Sequence, residues 1–173
     1  LKAHYPVEFM AALLTCEMDN SDKVIRHISE CRDRGIEVLP PHVNESSRDF
    51  TVSGNKIRFG LAAVKNVGSA ALESILKSRE EGGRFLDIFD FCERIDLRKA
   101  NKKVVESLIK CGAFDTTGAR RSQLFAVYEL AIERGQERQQ EKNGRQKSLF
   151  GIIESADSRE RSTPGYPACE EWP

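Results

Sequence analysis

The sequence predicts a mainly α-helical fold with one small β-hairpin, and two hydrophobic patterns carry this prediction. Apolar residues recur three and four positions apart in six segments between residues 6 and 138. Residues 50–59 instead alternate in the strand manner around a Ser-Gly-Asn-Lys turn. With 39% hydrophobic and 31% charged residues among 173, the composition is typical of one ordinary globular domain or two small ones. No apolar run approaches the roughly 20 residues of a membrane span, so no membrane partner is expected.

The first two helical segments, residues 6–18 and 22–34, predict a helical pair. Pro6 stands just before the first apolar run, where proline favours the start of a helix. Ser21 can cap the second helix, and Gly35 can end it. The stretch after this glycine leads into two consecutive prolines and predicts a short extended exit from the pair.

The centre of the chain predicts the β-hairpin and then four further helices. The apolar stripes of these helices fall in residues 69–81, 85–95, 104–109 and 119–138. At residue 136 the composition changes sharply, because charged residues and glutamine replace the apolar ones. Such a sequence cannot bury enough apolar surface to offset its ordering entropy, so we expect a mobile tail from this point.

Catalytic and metal-binding patterns are weak in this sequence. His27 and Cys31 lie four residues apart on a predicted helix, yet no second ligand pair follows at zinc spacing. Asp87 and Asp90 stand beside core aromatic residues, so we do not expect them to hold a metal. No nucleophile arrangement and no Gly-rich nucleotide loop is present, so no catalytic, metal or cofactor residue is assigned. Five widely spaced cysteines without a CxxC pair predict a reducing, cytoplasmic setting.

Residues 61–76 carry the most informative motif. A short helix leads into a tight turn, and a second helix starts directly after it, which is the layout of a helix-hairpin-helix. The turn and the first free amides of the second helix then point outward together at the positive end of the helix dipole, where they can hold a phosphate. Asparagine stands where the motif prefers glycine, although it tolerates the left-handed conformation. The residues predicted to contact DNA are Lys65, Asn66, Val67, Gly68, Ser69 and Ala70. A tight turn between packed helices that touches no DNA is an equally weighted alternative.

A second candidate turn follows the helix over residues 104–109, where a glycine and an apolar residue loosely repeat the first motif. The chain as a whole has 27 basic and 27 acidic residues, which excludes a globally basic nucleic-acid binder. Residues 98–121 nevertheless carry seven basic side chains against two acidic ones, which predicts a local basic face. The residues predicted to hold phosphates here are Lys110, Cys111, Gly112, Arg120 and Arg121. The alternative is that this run of charges is only a solvated face.

The sequence Gln-Lys-Ser-Leu-Phe at residues 146–150 fits the short peptides by which bacterial proteins dock on the sliding clamp. Leu149 and Phe150 would enter an apolar pocket of the clamp, each contributing about 1.5–3 kcal/mol if fully buried. Gln146 would make the orienting hydrogen bonds, and Ser148 lies within the same peptide. The alternative is that the apolar pair folds back onto its own domain.

With these motifs, the chain resembles the alpha subunit of bacterial DNA polymerase III, a replicative polymerase. KAHYPVEFMAALLT near the start resembles the end of the fingers domain of that family, and ECRDRGIEVLPPHVNES resembles the connector after it. IRFGLAAVKNVG and NKKVVESLIKCGAFD are similar to its tandem helix-hairpin-helix domain, and QKSLFG occupies the place of its internal clamp-binding motif. The resemblance implies four parts. Residues 1–46 are the end of the fingers with the connector, and residues 47–140 are the DNA-binding domain. Residues 141–153 are the clamp-binding segment, and residues 154–173 are a disordered linker.

The same resemblance implies a function. The segment would lie behind the active site of a DNA-directed DNA polymerase, grip the duplex product without reading its sequence, and tether the enzyme to the sliding clamp for processive synthesis. The catalytic aspartates and Mg²⁺ of that family belong to a domain upstream, so this fragment is expected to be inactive and to need no cofactor. The expected partners are double-stranded DNA, the clamp and the remaining polymerase domains. A chain that begins at Leu1 without methionine is expected to be a piece of a longer protein.

The alternative function is a helix-hairpin-helix DNA-repair glycosylase or nuclease subunit. Such an enzyme would need a base-flipping pocket with a catalytic Lys or Asp just after the hairpin. Gly68 is followed instead by an ordinary amphipathic helix. A structural connector that touches no DNA is a third possibility.

Overall fold

A computed structural model describes residues 4–147 and 165–172 of the chain. Six α-helices and three short strands alternate with two 3-10 turns along this part of the sequence. Their bounds are α1 Pro6–Cys16, α2 Ser21–Asp33, β1 Glu37–Leu39, β2 Thr51–Ser53, β3 Lys56–Arg58, the 3-10 turn Leu61–Ala63, α3 Ser69–Gly82, α4 Ile88–Arg94, α5 Lys102–Lys110, the 3-10 turn Asp115–Thr117 and α6 Arg121–Lys147. The predicted mainly α fold with a small β element is confirmed. No helix in the described ranges is long and apolar enough to cross a bilayer.

Two clusters of buried apolar side chains form the core. The smaller cluster joins α1 and α2 to the sheet, through residues that include Met10, Leu14, Cys31, Phe50 and Ile57. The larger cluster joins α3 to α6, through residues that include Leu72, Ile75, Phe91, Leu108 and Phe114. Phe59 packs against both clusters, so the helical pair is connected to the rest of the chain by apolar contact.

The predicted helical pair forms with nearly the predicted boundaries. Pro6 is the first residue of α1, where its missing N–H costs no hydrogen bond. The cap of α2 is Asn20, one residue before the predicted Ser21, and its side chain accepts a hydrogen bond from the Lys23 amide at 3.1 Å. Gly35 follows α2 with a positive φ of 72°, which is the conformation expected after a helix end.

The sheet contains the predicted β-hairpin and one strand that the sequence did not assign. Strands β2 and β3 pair antiparallel around a turn at Gly54, whose φ is 63°. The extended exit from α2 becomes β1, which pairs parallel with β3 and places Val38 opposite Ile57. Local alternation cannot identify this partner, because parallel pairing joins segments that are far apart in sequence.

Helix α6 continues beyond the point where the sequence predicted a mobile tail. That expectation is wrong for residues 136–147, which are helical. Gln139 donates hydrogen bonds from Nε2 to the carbonyl oxygens of Cys92 and Ile95, at 3.1 Å and 2.7 Å. These bonds satisfy carbonyl groups at the end of α4, where the helix itself supplies no further amide donors. Gln, Glu, Arg and Lys also have good helix propensity, so a polar composition alone does not end a helix.

A buried histidine joins the connector to the end of the larger core. His42 accepts a hydrogen bond on Nδ1 from the Asn44 amide at 2.9 Å, so its neutral ring carries the proton on Nε2. Nε2 lies 2.5 Å from the Thr116 hydroxyl oxygen and can donate to it. Burial lowers the pKa of His42, which favours this neutral form. The adjacent Val43 amide donates to the Ala113 carbonyl at 3.0 Å, so the connector holds the segment that follows α5.

Candidate nucleic-acid interface

The turn before α3 has the geometry of a helix-hairpin-helix, and we call residues 64–70 the first hairpin. Asn66 has a φ of 69° and is the only non-glycine residue with positive φ in the described part of the chain. It therefore adopts the conformation that glycine supplies in the usual motif. The next side chain, Val67, is only 7% exposed and anchors the turn in the larger core. Gly68 then occupies the cap position of α3.

The start of α3 is open to an anion. No side chain in the part of the chain that the structure describes caps this helix, and the Leu72 amide makes a helical bond to the Gly68 carbonyl at 3.0 Å. The amides of Ser69 and Ala70 precede Leu72 in the first turn of α3. They have no acceptor within the helix, because the first amides of any α-helix lack an intrahelical partner. Gly68, Ser69 and Ala70 are exposed, and a Cβ on Gly68 would meet nothing within 4 Å. Main-chain donors and the positive end of the helix dipole thus face open space together.

A turn of the same form precedes α6, and we call residues 116–122 the second hairpin. Gly118 has a φ of 86° and corresponds to Asn66. Ala119 is 5% exposed and takes the anchoring position. The Leu124 amide donates to the Arg120 carbonyl at 2.9 Å, just as the Leu72 amide donates to the Gly68 carbonyl at the start of α3. The structure therefore repeats the first hairpin at a position that the sequence did not single out.

The predicted second turn at residues 110–112 has different geometry, which corrects its assigned role. The amides of Cys111 and Gly112 already donate to the carbonyls of Ser107 and Ile109, each at 3.0 Å. These residues end α5, and a helix C-terminus carries partial negative charge that disfavours phosphate. Gly112 is buried, with a φ of 81°, and ends the helix. The outward helix start lies instead at the second hairpin, where Gly118, Ala119 and Ser122 are residues that sequence reasoning missed.

A groove of about 740 Å³ runs between the first hairpin and α5. Asn66 crosses it and donates from Nδ2 to the Ser107 hydroxyl at 2.9 Å. Lys65 and Lys103 line the groove, are exposed, and make no ion pair with another described residue. Lys110 also lines it, but its Nζ lies 2.5 Å from Glu106. Two of the three groove lysines are therefore available to an anionic partner.

The two predicted arginines lie at the second hairpin, and each has an internal partner. Arg121 forms a bidentate pair with Asp115, with Nε–Oδ1 and Nη2–Oδ2 distances of 2.8 Å and 2.5 Å. This pair is the first cause of the raised pKa of Arg121, and the charge of Glu171 contributes further. Arg120 donates from Nη1 to the Cys169 carbonyl at 3.4 Å. The local basic face is thus partly neutralised within the chain.

The side chains that could suggest catalysis have structural roles. Asp87 caps α4 by accepting the Asp90 amide at 2.8 Å, and Asp90 pairs with Arg94 at 3.0 Å. Burial raises the pKa of Cys111 to about 11, so this groove thiol stays protonated at neutral pH and is a poor nucleophile. Within residues 4–147 and 165–172, no cluster of three or more His, Cys, Asp or Glu could hold a metal ion.

The predicted clamp-binding residues lie at and beyond the end of α6. Gln146 falls in the last turn of this helix. Ser148, Leu149 and Phe150 lie outside the described residues, so the clamp-binding peptide stays a prediction. The segment over residues 165–172 differs from the expected disordered linker, because it lies against the second hairpin and Tyr166 packs against the larger core.

Comparison with known proteins finds a matching family model and several relatives. Residues 35–124, which include both hairpins, match the family model of the helix-hairpin-helix motif. Over its whole length the chain is 48% identical to the DNA polymerase III subunit alpha of Saccharopolyspora erythraea. Identity to the subunit alpha of Vibrio cholerae serotype O1 is 42%, and to that of Escherichia coli K12 it is 38%, again over the whole chain. The chain spans only 15% of the length of each of these relatives.

Proposed function

This chain belongs to the helix-hairpin-helix motif family and its homologues are DNA polymerase III alpha subunits, so we propose that it is the part of such a polymerase that grips the duplex product. The observation that carries this proposal is the repeated turn. In each hairpin a left-handed residue and a buried apolar residue precede a helix start, at α3 and at α6. Two such helix starts on one domain can hold two positions along a phosphate backbone.

The grip acts through main-chain donors. The amides at the starts of α3 and α6 donate to phosphate oxygens, and the two helix dipoles add partial positive charge. Lys65 and Lys103 increase the local concentration of the polyanion without fixing its position. Contacts of this kind carry no base information, so binding is independent of sequence. The fragment contributes no reacting group, and synthesis belongs to the rest of the polymerase.

The clamp tether is the second part of the proposal. Helix α6 has 27 residues, so it separates the second hairpin from the start of the clamp-binding peptide by about 40 Å of helix. Gln146 lies in the last helical turn, and Leu149 and Phe150 follow it in sequence. A domain that holds the duplex and also binds a ring around that duplex gains from effective concentration, since each contact keeps the other near its target. This linkage would give processivity even if each contact alone is weak.

We expect duplex binding to depend steeply on salt and little on sequence. Fluorescence anisotropy of two labelled duplexes of unrelated sequence, titrated with the 173-residue chain, measures both properties. For two to four neutralised phosphates, affinity should fall by about 10-fold to 150-fold between 50 mM and 200 mM salt. The two duplexes should bind alike at every salt concentration. A marked preference for one sequence, or an affinity that salt leaves unchanged, would rule out the amide grip.

A further inference from the structure

Residues 165–172 lie across the second hairpin and are held there at several points. Gln123 donates from Nε2 to the Pro167 carbonyl at 2.9 Å. The ring of Trp172 meets the ring of Phe125 edge to face, with centroids 5.2 Å apart. Arg120, a predicted phosphate ligand, bonds to a carbonyl of the same segment. We call residues 165–172 the covering segment.

An acidic side chain of the covering segment lies at the start of α6. The Ser122 amide donates to Glu171 Oε1 at 3.4 Å, so a carboxylate lies where the proposed grip requires a phosphate. Glu171, Arg120 and Arg121 line the same cavity of about 570 Å³. At the first hairpin, no acidic side chain of the described residues takes this position, and no side chain among them caps α3. The two hairpins therefore share a backbone geometry and differ in whether an internal acid covers them.

We propose that the covering segment is an internal competitor for phosphate at the second hairpin. In the free chain Glu171 occupies the anion position, and a duplex phosphate displaces it together with Trp172. The inference rests on the proposed function, because the competition presupposes that a phosphate binds at this hairpin. It goes further in assigning different behaviour to the two hairpins. The first accepts a phosphate directly, whereas the second accepts one only after the covering segment leaves.

The contacts of the covering segment suit displacement. The bond from Ser122 to Glu171 is long at 3.4 Å, and Glu171 is exposed to solvent. A phosphate diester that reaches the same amides can also attract Arg120, whose present acceptor is an uncharged carbonyl at 3.4 Å. Binding free energies are reciprocal. A partner that binds the displaced covering segment therefore strengthens duplex binding. The duplex strengthens the binding of that partner by the same factor.

The test compares Glu171→Gln with Glu170→Gln in the 173-residue chain. The two variants lose the same charge at neighbouring positions, but Glu170 is exposed and forms no hydrogen bond or ion pair with another described residue. Anisotropy of a labelled duplex should show about two- to fivefold tighter binding by Glu171→Gln than by Glu170→Gln, the range expected for one charge at a helix start. Trp172 is the only tryptophan of the chain, so its emission reports the covering segment and should shift to longer wavelength when duplex binds.

The outcomes separate this inference from the proposed function. Equal duplex affinity of the two variants, with Trp172 emission unchanged at saturation, would overturn the competition and leave the phosphate grip standing. Absence of duplex binding by all chains would overturn the grip and the competition together. Matching circular dichroism of the unbound chains verifies that both variants keep the fold.

Discussion

Replacing Gly68 with Asp weakens duplex binding by about tenfold or more, since lost hydrogen bonds to a charged group are worth about 1.5–3 kcal/mol. Gly68 has φ −75° and ψ 165° at the cap of α3, a conformation that aspartate adopts readily. A new Cβ would meet nothing within 4 Å, so the substitution causes no steric conflict. The aspartate carboxylate would instead accept the free amides of α3 and occupy the anion position. We therefore expect the thermal stability of the variant to stay the same or to rise slightly.

The control for this substitution is Gly144→Asp. Gly144 is an exposed glycine in α6, and a Cβ there also meets nothing within 4 Å. Both variants add one negative charge, but only the first places it at a hairpin. Anisotropy at fixed salt and thermal unfolding of both variants complete the comparison. Equal weakening by the two variants would mean that net charge alone governs binding and that the first hairpin is merely a tight turn.

Changing Leu149 and Phe150 together to Ala abolishes binding to the cognate sliding clamp. Each side chain contributes about 1.5–3 kcal/mol if fully buried in an apolar pocket, so losing both reduces affinity by a factor on the order of a hundred or more. The measurement is binding of the chain to immobilised clamp on a sensor chip. Duplex affinity of the same variant should stay unchanged, because the two hairpins remain intact.

Ile25 and Leu86, changed together to Ala, form the matched control for the clamp measurement. Their substitution also removes two large apolar side chains, and both side chains are exposed and lie outside the predicted clamp-binding segment. This control variant should retain most of its affinity for the clamp. If the variant at positions 149 and 150 binds the clamp as tightly as the unchanged chain, the peptide has been assigned to the wrong residues.

The sequence was sufficient for the helices and for the first hairpin because their signals are local. Apolar periodicity identified each helix of the larger core, and Pro6 and Gly35 marked helix ends. In the first hairpin, Asn66, Val67 and Gly68 stand at fixed spacing before a helix start, so one short stretch carried the whole motif. The parallel strand β1 was missed because its partner is set by tertiary packing.

The second hairpin was misplaced because two glycines carry the same local signal. Gly112 and Gly118 both follow a short helical segment, and their φ angles are 81° and 86°. Only the structure shows that the first ends α5, whereas the second leads into α6. Lys102 and Arg98 pair with Glu129 and Asp96, two acidic residues outside the counted range 98–121, so the charge count overestimated the free positive charge.

In the covering segment, the average composition predicted disorder although individual aromatic side chains hold the segment in place. Charge, serine and proline dominate residues 154–173, which predicted disorder. Tyr166 and Trp172 nevertheless contact the larger core and Phe125, and together they hold residues 165–172 on the second hairpin. Two aromatic side chains can bury enough apolar area to fix a short segment that its mean composition describes as mobile.

The most direct measurement of the phosphate grip is a ¹H–¹⁵N amide spectrum of the chain, titrated with a short duplex. The two helix starts predict the largest shifts at the amides of Ser69, Ala70, Arg121 and Ser122, and the same shifts for two duplexes of unrelated sequence. Shifts centred on residues 110–112, with the amides of both hairpins unmoved, would contradict the grip.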